Sequence, residues 1–486
     1  MSQAVTVLNS ARRLIGGLIH RLLIGGCVIL LCLSPVGGQG QETPTSSSTA
    51  SPIPPVYVDN LLNGLRVFIV ERKGEPTITL SLLVENGSVF DLARKTGTAA
   101  VMVRAMLRGA RDLSGQTIAE RLEALGARVD VSVTVDAMHI LLEAPSRGAT
   151  ELIPLMARFV SFPTFAAEEV TRVKQQYLAE LRTRRTDPAA RADEEFLKAL
   201  YQPHPYGRPP EGTEEEVAAL SPYDLLRHHR RFFIANKASL VIISDLSPQA
   251  LMPLVRPYFG AFLKGDPVPA SFLPPSAHTG ITIKVYDRPD LTESHIRIGY
   301  FGLEKFNEDY FPALILGQIL TTDRLPRLIG SSDQRAASGC RFELRSFKGL
   351  FLCQAAVPGA KTVETVAGLL RLFAEIRTHG VTEAEVNAAA SRLIEHYSSR
   401  MTQAREIARE LHRIELYRLG RDYPQKFRER LSRVTPTDVK RVADKYLPSS
   451  TAIIAVVGPA HSFAENLKSL GAVEIVNAPP ASKPGE

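Results

Sequence analysis

The sequence predicts an α+β protein made of two homologous domains, each a mixed or antiparallel β-sheet packed with α-helices. The first observation is an internal repeat, because residues 220–245 align without a gap with residues 434–459. Each copy has a Ser/Thr-Pro-x-Asp helix start, an amphipathic helix and an apolar strand. The second observation is that both halves open with strand-like segments, and the third is a Pro-rich stretch at 266–280 that separates them. Self-similarity on this scale indicates a duplicated domain.

The elements follow the same order in both halves. The first half opens with the strand pattern VFIVERKGEPTITLSLLVENGS and the second with ITIKVYDRPDLTESHIRIGYFG, and each continues with a helix, a hairpin and longer helices. The repeated helix then leads into a buried strand, SLVIIS or AIIAVV. We therefore expect domains at 56–265 and 281–476, a linker at 266–280 and a flexible tail at 477–486.

Residues 1–40 differ in composition from the rest of the chain. Three arginines precede the apolar run LLIGGCVILLCL, and PVGGQGQ then supplies small residues suited to cleavage near Gly40. The pattern predicts a signal peptide at 1–40 and a flexible Ser/Thr/Pro-rich tether at 41–55, and hence an exported protein, periplasmic or extracellular. The alternative is an uncleaved anchor that holds the protein at a membrane surface, although the run is short for a membrane span.

The charge of the chain gives no sign of a nucleic-acid partner. The 486 residues carry a formal charge of +7, and removing the three arginines of residues 1–40, which contain no acids, lowers it to +4. Lysine and arginine are scattered rather than grouped into a stripe, so the sequence predicts no basic binding surface. Nucleic-acid binding is therefore not among the expected functions.

Two cysteines remain once residues 1–40 are removed. Cys340 and Cys353 belong to GCRFELRSFKGLFLC, in which two strands surround the turn SFKG. In such a hairpin the two side chains can lie nearly opposite one another, and an exported protein can oxidise them to a disulfide. The alternative is two separate buried thiols, and neither state implies catalysis.

Three further segments, together with the repeat, are shared with a known family. They are ENGSVFDLARKTGTAAVMVRAMLRGA at 85–110, LEALGARVDVSVT at 122–134 and HPYGRPPEGT at 204–213. Because these segments occur in the family's order and at its intervals, the chain resembles the pitrilysin/insulinase family of zinc metallopeptidases. The resemblance is strongest to two-domain members such as mitochondrial processing peptidase and the bacterial paired-subunit enzymes. The resemblance runs from about Tyr57 to Val476 and implies the metallopeptidase fold of the processing peptidases.

The resemblance also implies a zinc motif that this sequence lacks. Active relatives carry HxxEH on the helix equivalent to residues 97–110, where two histidines bind zinc and the glutamate activates a water molecule. Aligned on the flanking glycines, Ala100 and Arg104 take the histidine positions and Val103 takes the glutamate position. Alanine and valine cannot ligate a metal, and arginine stays protonated with no lone pair to offer. We therefore expect no catalytic residue and no bound metal in this chain.

The residue at the position of the third zinc ligand is acidic, as in active relatives. Active relatives supply a glutamate from a second helix, and Glu180 in QQYLAELRTRRTDP lies at the corresponding distance downstream. A retained carboxylate opposite a histidine-to-arginine change suggests that Arg104 pairs with Glu180, its guanidinium replacing the charge of the metal. The alternative is a solvated glutamate. The similar motif RLIEH at 392–396 falls on the corresponding helix of the second domain and is interpreted as an exposed helix face.

A second family feature is an arginine and a tyrosine spaced R-x3-G-x2-Y, which hold the substrate backbone near the scissile bond. Here RAASGCRF places Arg335, Gly339 and Phe342 on that pattern. Phe342 lacks the hydroxyl group, and the loop before Arg335 is longer than is usual in the family. Substrate binding by Arg335 and Phe342 therefore stands beside the alternative of an ordinary loop arginine and a packed phenylalanine.

The resemblance implies a catalytically silent subunit. Family members of this size commonly pair a zinc-bearing subunit with a bare one around a peptide chamber, so the expected partners are a zinc-bearing homologous peptidase subunit and a peptide substrate. Zinc is expected in the partner and not in this chain. Two alternatives stay open: a metallopeptidase with a displaced metal site, and a non-proteolytic scaffold subunit. Whether the chain forms a homodimer or a heterodimer is open as well.

Overall fold

The computed structural model describes residues 53–269, 271–305, 307–330 and 338–477. The predicted signal peptide, nearly all of the tether that follows it, and the tail after residue 477 lie outside these ranges. Within the described ranges, no helix combines the length and the apolar character that crossing a lipid bilayer requires.

The bounds of the elements are as follows. The strands are β1 Val56–Asn60, β2 Arg66–Glu71, β3 Thr77–Val84, β4 Gly109–Ala110, β5 Leu113–Ser114, β6 Arg128–Val133, β7 Met138–Pro145, β8 Ala238–Ser244, β9 Ile281–Asp287, β10 Glu293–Phe301, β11 Gly339–Glu343, β12 Leu350–Pro358, β13 Ala452–Gly458 and β14 Ala472–Asn477. The helices are α1 Thr98–Ala105, α2 Gly115–Ala124, α3 Ala149–Ser161, α4 Ala167–Thr186, α5 Pro188–Tyr201, α6 Glu214–Ala218, α7 Pro222–Phe232, α8 Pro248–Phe259, α9 Tyr310–Ile319, α10 Leu325–Ile329, α11 Thr362–His379, α12 Glu383–Arg400, α13 Ala404–Tyr417, α14 Tyr423–Ser432, α15 Pro436–Tyr446 and α16 Ala464–Leu467. A π-helical turn, Leu320–Arg324, joins α9 to α10.

The main strands form two six-stranded sheets of the same design. The first has the order β1-β2-β8-β3-β7-β6, and the second, read from its corresponding edge, has the order β14-β9-β13-β10-β12-β11. The strands β8 and β13 each lie between one parallel and one antiparallel neighbour. The predicted fold of two homologous mixed sheets is therefore confirmed. The sheets differ at one edge, where β1 is antiparallel to β2 but β14 is parallel to β9.

The repeated segments form equivalent helix starts. Ser221 accepts a hydrogen bond from the amide of Asp224 and Asp224 accepts one from the amide of Ser221, which is a capping box at the start of α7. Thr435 and Asp438 make the same reciprocal pair at the start of α15. Each helix is followed by a fully buried strand, β8 or β13. The predicted order of capped helix and buried strand is confirmed in both halves.

Each half packs one helix on the sheet of the other half. The helix α13 lies on the first sheet, where the ring of His412 is within 2.8 Å of the hydroxyls of both Ser81 and Ser239. The helix α5 lies on the second sheet, where the Arg297 guanidinium donates to Asp193 at 2.5 Å and to the carbonyl of Ala189 at 3.0 Å. This exchange joins the two halves through buried contacts.

A disulfide joins the two strands of the second-half hairpin. Cys340 on β11 is directly opposite Cys353 on β12 in the antiparallel register, and their sulfur atoms are bonded. Of the two states that the sequence left open, the structure has the disulfide. It fixes the edge strand β11 to the rest of the second sheet.

Candidate functional site

The helix that corresponds to the zinc motif, α1, is a packed core element. All of its residues except Arg104 are buried. Its start is fixed by Asp91, whose carboxylate accepts hydrogen bonds from the amides of Gly97 at 2.9 Å and Ala99 at 3.0 Å. Gly97 has a φ of 82°, and a Cβ there would lie 2.6 Å from the carbonyl oxygen of Glu211. Burial raises the pKa of Asp91 to about 7, against the opposing effect of these amides.

The three motif positions take different environments on this helix. Val103 is fully buried in the first-half core and Ala100 is 2% exposed. Ala100 also lines a cleft, as does Arg104 one turn later. The Nη1 of Arg104 donates to the carbonyl oxygen of Ala100 at 3.0 Å. The position that would carry the catalytic glutamate is therefore apolar core in this chain.

Arg104 reaches the helix that carries Glu180. Its Nη2 lies 3.6 Å from the Oε2 of Glu180, and its guanidinium carbon lies 4.3 Å from the centre of the Tyr177 ring. The pairing inferred from the sequence is therefore present. Both side chains retain solvent contact, 28% for Arg104 and 62% for Glu180, so the pair is worth at most about 1 kcal/mol.

Tyr177 is a part of this site that the sequence analysis missed. Its hydroxyl donates to the carbonyl oxygen of Glu211 at 3.0 Å, which ties α4 to the segment after the HPYG turn. Burial raises the pKa of Tyr177 well above its usual range, so the phenol stays neutral. The available signal was its spacing, since Tyr177 and Glu180 are three residues apart and share one face of α4.

The residues at this site do not fit a zinc ion. Of the positions equivalent to the three ligands, only Glu180 holds a group with a metal-binding lone pair. Within the residues that the structure describes, no group of three or more histidine, cysteine, aspartate or glutamate side chains is arranged to hold a metal. We therefore derive no hydrolytic step at this site.

The cleft beside α1 runs from the first half towards the second. Its first part has a volume of about 530 Å³ and is lined by Arg104, Glu180 and the β6 residues Val131–Val133. A second part of about 540 Å³ shares Val133, Pro210 and Glu211 with the first and is lined on its far side by the second half. The strand β6 is the edge of its sheet, and its residues alternate between exposed and half-buried. A sheet edge of this kind can add an extended peptide as a further strand.

Of the two predicted substrate-binding residues, the structure describes only Phe342. Arg335 lies outside the described residues. Phe342 is on β11, with ring centres 4.9 Å from Phe351 and 6.1 Å from Tyr446, and it also lines the second part of the cleft. Phe342 therefore packs against other aromatic rings, as expected of a packed phenylalanine, and it also lines the cleft, as expected of a substrate-binding residue.

Arg345 is a further cleft residue that the sequence analysis did not single out. It is 7% exposed, and its guanidinium carbon lies 4.9 Å and 5.2 Å from the rings of Tyr201 and Tyr206 in the first half. Tyr206 in turn donates to Asp136, which also accepts from the amide of Ser346 at 3.0 Å. Because Arg345 and Ser346 come from the second half, this cluster fixes the two halves at the end of the cleft.

The fold and the site together define a metallopeptidase-like protein of two duplicated domains whose motif helix carries no metal ligand. Family models agree with this class. The model of insulinase (peptidase family M16) matches residues 66–214, and the model of the peptidase M16 inactive domain matches residues 219–393. The chain belongs to peptidase family M16.

Known proteins in this family are similar at low sequence identity. The beta subunit of the bovine mitochondrial-processing peptidase is 26% identical over 57% of this chain, and the match spans 56% of that protein, about half its length. Among solved structures, a peptidase M16 inactive domain from Pseudomonas fluorescens has a TM-score of 0.75 at 22% identity, covering 83% of this chain and 98% of that one. The periplasmic protease PqqL from Escherichia coli has a TM-score of 0.70 at 17% identity, covering 84% and 48%.

Proposed function

We propose that this chain is the non-catalytic subunit of an exported peptidase pair, closing a peptide chamber together with a zinc-bearing homologue. The observation that carries the proposal is α1, which keeps its packing while Ala100, Val103 and Arg104 replace the whole HxxEH set. The chain contributes structure and substrate contacts, and zinc belongs to the partner. A relative of this chain is named as a subunit of a processing peptidase, which supports pairing.

The cleft supports an extended peptide as the ligand. The edge strand β6 borders the first part of the cleft, so main-chain hydrogen bonds can hold a peptide without regard to its sequence. The ion pair of Arg104 and Glu180 then lies beside the peptide backbone. Phe342 contributes an apolar contact from the second half, and Arg335 contributes hydrogen bonds to peptide carbonyl groups.

Export is supported by the sequence of residues 1–40 and by the likeness in fold to a periplasmic protease. The disulfide of Cys340 and Cys353 agrees with an oxidising compartment, because such bonds are rare where thiols are kept reduced.

The test is the zinc content and peptidase activity of the purified mature chain, alone and mixed with a co-encoded homologue that carries an intact HxxEH motif. We expect no zinc and no cleavage from the chain alone, and cleavage of a fluorogenic extended peptide by the mixture at a rate above that of the homologue alone. Arg335→Ala lowers the rate of the mixture, and Arg327→Ala, which changes an exposed arginine on α10, serves as the matched control.

Two outcomes contradict the proposal. Stoichiometric zinc with chelator-sensitive cleavage by the chain alone means that a displaced metal site is present. A mixture whose activity equals that of the zinc-bearing homologue alone means that the chain is a scaffold without a proteolytic role.

A further inference from the structure

A small cavity opens on the face of the first half where α7 packs against the start of α1. It has a volume of about 250 Å³, and its walls include Leu92, Lys95, Thr98, Arg227, His228 and Arg231. None of these residues lines the cleft described above. We call it the α7 cavity. Its size is that of one large side chain, so it suits an anchor residue rather than a whole small-molecule ligand.

Cations outnumber acids around the α7 cavity. Lys95 lies 3.0 Å and Arg227 3.6 Å from the single carboxylate of Asp224, so two cations share one acid. Asp224 is further engaged by Ser221 at the helix cap. Arg231 is exposed, and no ion pair joins it to any residue in the described ranges. The rim therefore carries a surplus of positive charge that a carboxylate would complement.

Large apolar side chains flank the same rim. Leu92, which lines the cavity, is 51% exposed, and Tyr223, whose ring centre lies 5.9 Å from the guanidinium carbon of Arg227, is 68% exposed. Phe232 lines the cavity wall next to them. These side chains give a bound residue apolar surface to pack against at the mouth of the cavity.

A buried polar atom at the cavity wall has no partner. His228 is only 5% exposed, and within the described part of the chain its Nε2 makes no hydrogen bond. Its Nδ1 lies 3.8 Å from Asp91, too far for a hydrogen bond, and Asp91 is engaged by the amides of α1. Burial lowers the pKa of His228 to about 3, so the ring is neutral and offers one N–H.

From these observations we infer that the α7 cavity binds the carboxy-terminal residue of a polypeptide, its apolar side chain inside the cavity and its free carboxylate on the Lys95, Arg227 and Arg231 rim. A terminal residue carries both groups at once, which matches a one-residue apolar pocket with a cationic mouth. Because Thr98 in the first turn of α1 forms part of the wall, the bound residue also braces the start of the motif helix.

The test is calorimetric titration of the full chain with N-acetyl-alanyl-leucine, compared with the same peptide as its C-terminal amide. We expect the acid to bind at least tenfold more tightly than the amide, because only the acid can pair with the cationic rim. Neither zinc nor a partner subunit is needed, so the result is independent of the proposed function.

Neighbouring arginines on α7 supply a matched control. Arg231→Glu should weaken binding of the acid about tenfold, whereas Arg230→Glu, a change at an exposed position outside the cavity lining, should alter it less than twofold. Both positions are exposed, so the thermal unfolding midpoints of the two variants should match that of the parent chain and exclude misfolding.

Three results overturn the inference: equal affinity for the acid and the amide, no binding of either at millimolar concentration, or the same loss from Arg230→Glu as from Arg231→Glu. A further peptide, N-acetyl-Ala-Glu-Leu-Ala-amide, carries its carboxylate on an internal side chain. Binding of this peptide as tightly as the terminal acid would show that the cavity accepts internal segments, and would overturn the assignment to a chain terminus.

Discussion

In each half, an ion pair joins two equivalent helical segments. The base lies on the first segment and the acid on the second in the first half, and the reverse holds in the second half. In the first half, Arg104 on α1 lies 3.6 Å from Glu180 on α4. In the second half, Asp323 in the π-helical turn after α9 lies 3.0 Å from Arg392 on α12, the first residue of the RLIEH motif. The duplicated fold therefore accepts either polarity at this position. In both halves an ion pair lies where the zinc-binding relatives place their metal ligands or at the corresponding place in the second domain.

The two ion pairs also differ in the number and length of the charged contacts around them. In the second half, Arg324 adds a shorter contact to Glu385 at 2.8 Å, with both side chains less than one-fifth exposed. In the first half, the ion pair of Arg104 and Glu180 is the longer one and lines the cleft. The first-half bridge is therefore the one that can be replaced at least cost to folding, and the most informative variants lie there.

The largest expected effect is the gain of a zinc site in the first half. Ala100→His with Arg104→His restores two imidazoles one turn apart, facing the retained carboxylate of Glu180. We expect the double variant to bind about one zinc ion per chain, measured by elemental analysis after dialysis, against none for the parent. Val103 is left unchanged, since a glutamate there would be buried in the core.

Adding Glu180→Gln to that double variant is the control. Loss of the third ligand should weaken zinc binding at least tenfold. If the double variant takes up no zinc, or binds it equally well without Glu180, then α1 and α4 do not retain the ligand geometry. Their resemblance to the zinc site would then be limited to the sequence.

The second effect concerns the helices that the halves exchange. On the second sheet, Arg297 is 4% exposed and holds both Asp193 and the carbonyl of Ala189. On the first sheet, Ser239 makes one neutral hydrogen bond to His412. Arg297→Ala should therefore lower the free energy of unfolding by about 3 kcal/mol and Ser239→Ala by about 1 kcal/mol. Urea unfolding checks both, and equal losses would mean that the charged contact has no special weight.

The third effect is a pH response that is larger in α13 than in α5. Burial between the sheet and α13 lowers the pKa of His412 well below its usual value, with nearby His139 and Arg66 acting in the same direction. When α13 detaches from the sheet, His412 titrates near its ordinary pKa of about 6.5 and binds a proton more readily than in the packed state. The packed state therefore loses stability as the pH falls below that value. The loss approaches about 1.4 kcal/mol per pH unit.

Hydrogen exchange at pH 7 and pH 5, expressed as protection factors, tests this response. Protection should fall more in α13 than in α5, which packs on Arg297 and lies near His295, a histidine whose pKa is also lowered by burial. His412→Asn should reduce the difference between the two pH values, and the remainder comes from neighbouring His139, whose pKa burial lowers to about 4. Equal loss of protection in α5 and α13 would point to general acid unfolding rather than to the histidine.

Sequence reasoning reached the repeat because local rules were enough for it. The capped helix starts at Ser221 and Thr435 and the buried strands after them follow from side-chain chemistry within a few residues. The pairing of Arg104 with Glu180 was also within reach, because the family resemblance aligns both positions. The spacing of Tyr177 from Glu180 was a local signal as well, but the contributions of Arg345 and the exchanged helices were out of reach, since they depend on contacts between distant segments that no local pattern records.

The smallest expected effect is the coupling between Arg104 and Glu180, and it decides what the bridge is for. A double-mutant cycle of Arg104→Ala and Glu180→Ala should give a coupling free energy of about 0.5 kcal/mol, because both side chains are partly solvated and their charged atoms are 3.6 Å apart. The matched cycle of Asp323→Ala and Arg392→Ala in the second half has a pair at 3.0 Å and should give a somewhat larger value. If the first-half coupling exceeds the second by more than 1 kcal/mol, the guanidinium is a structural replacement for the metal. If it is the smaller of the two, as we expect, the ion pair is not a structural replacement for the metal, and Arg104 remains available to the peptide that we propose for the cleft.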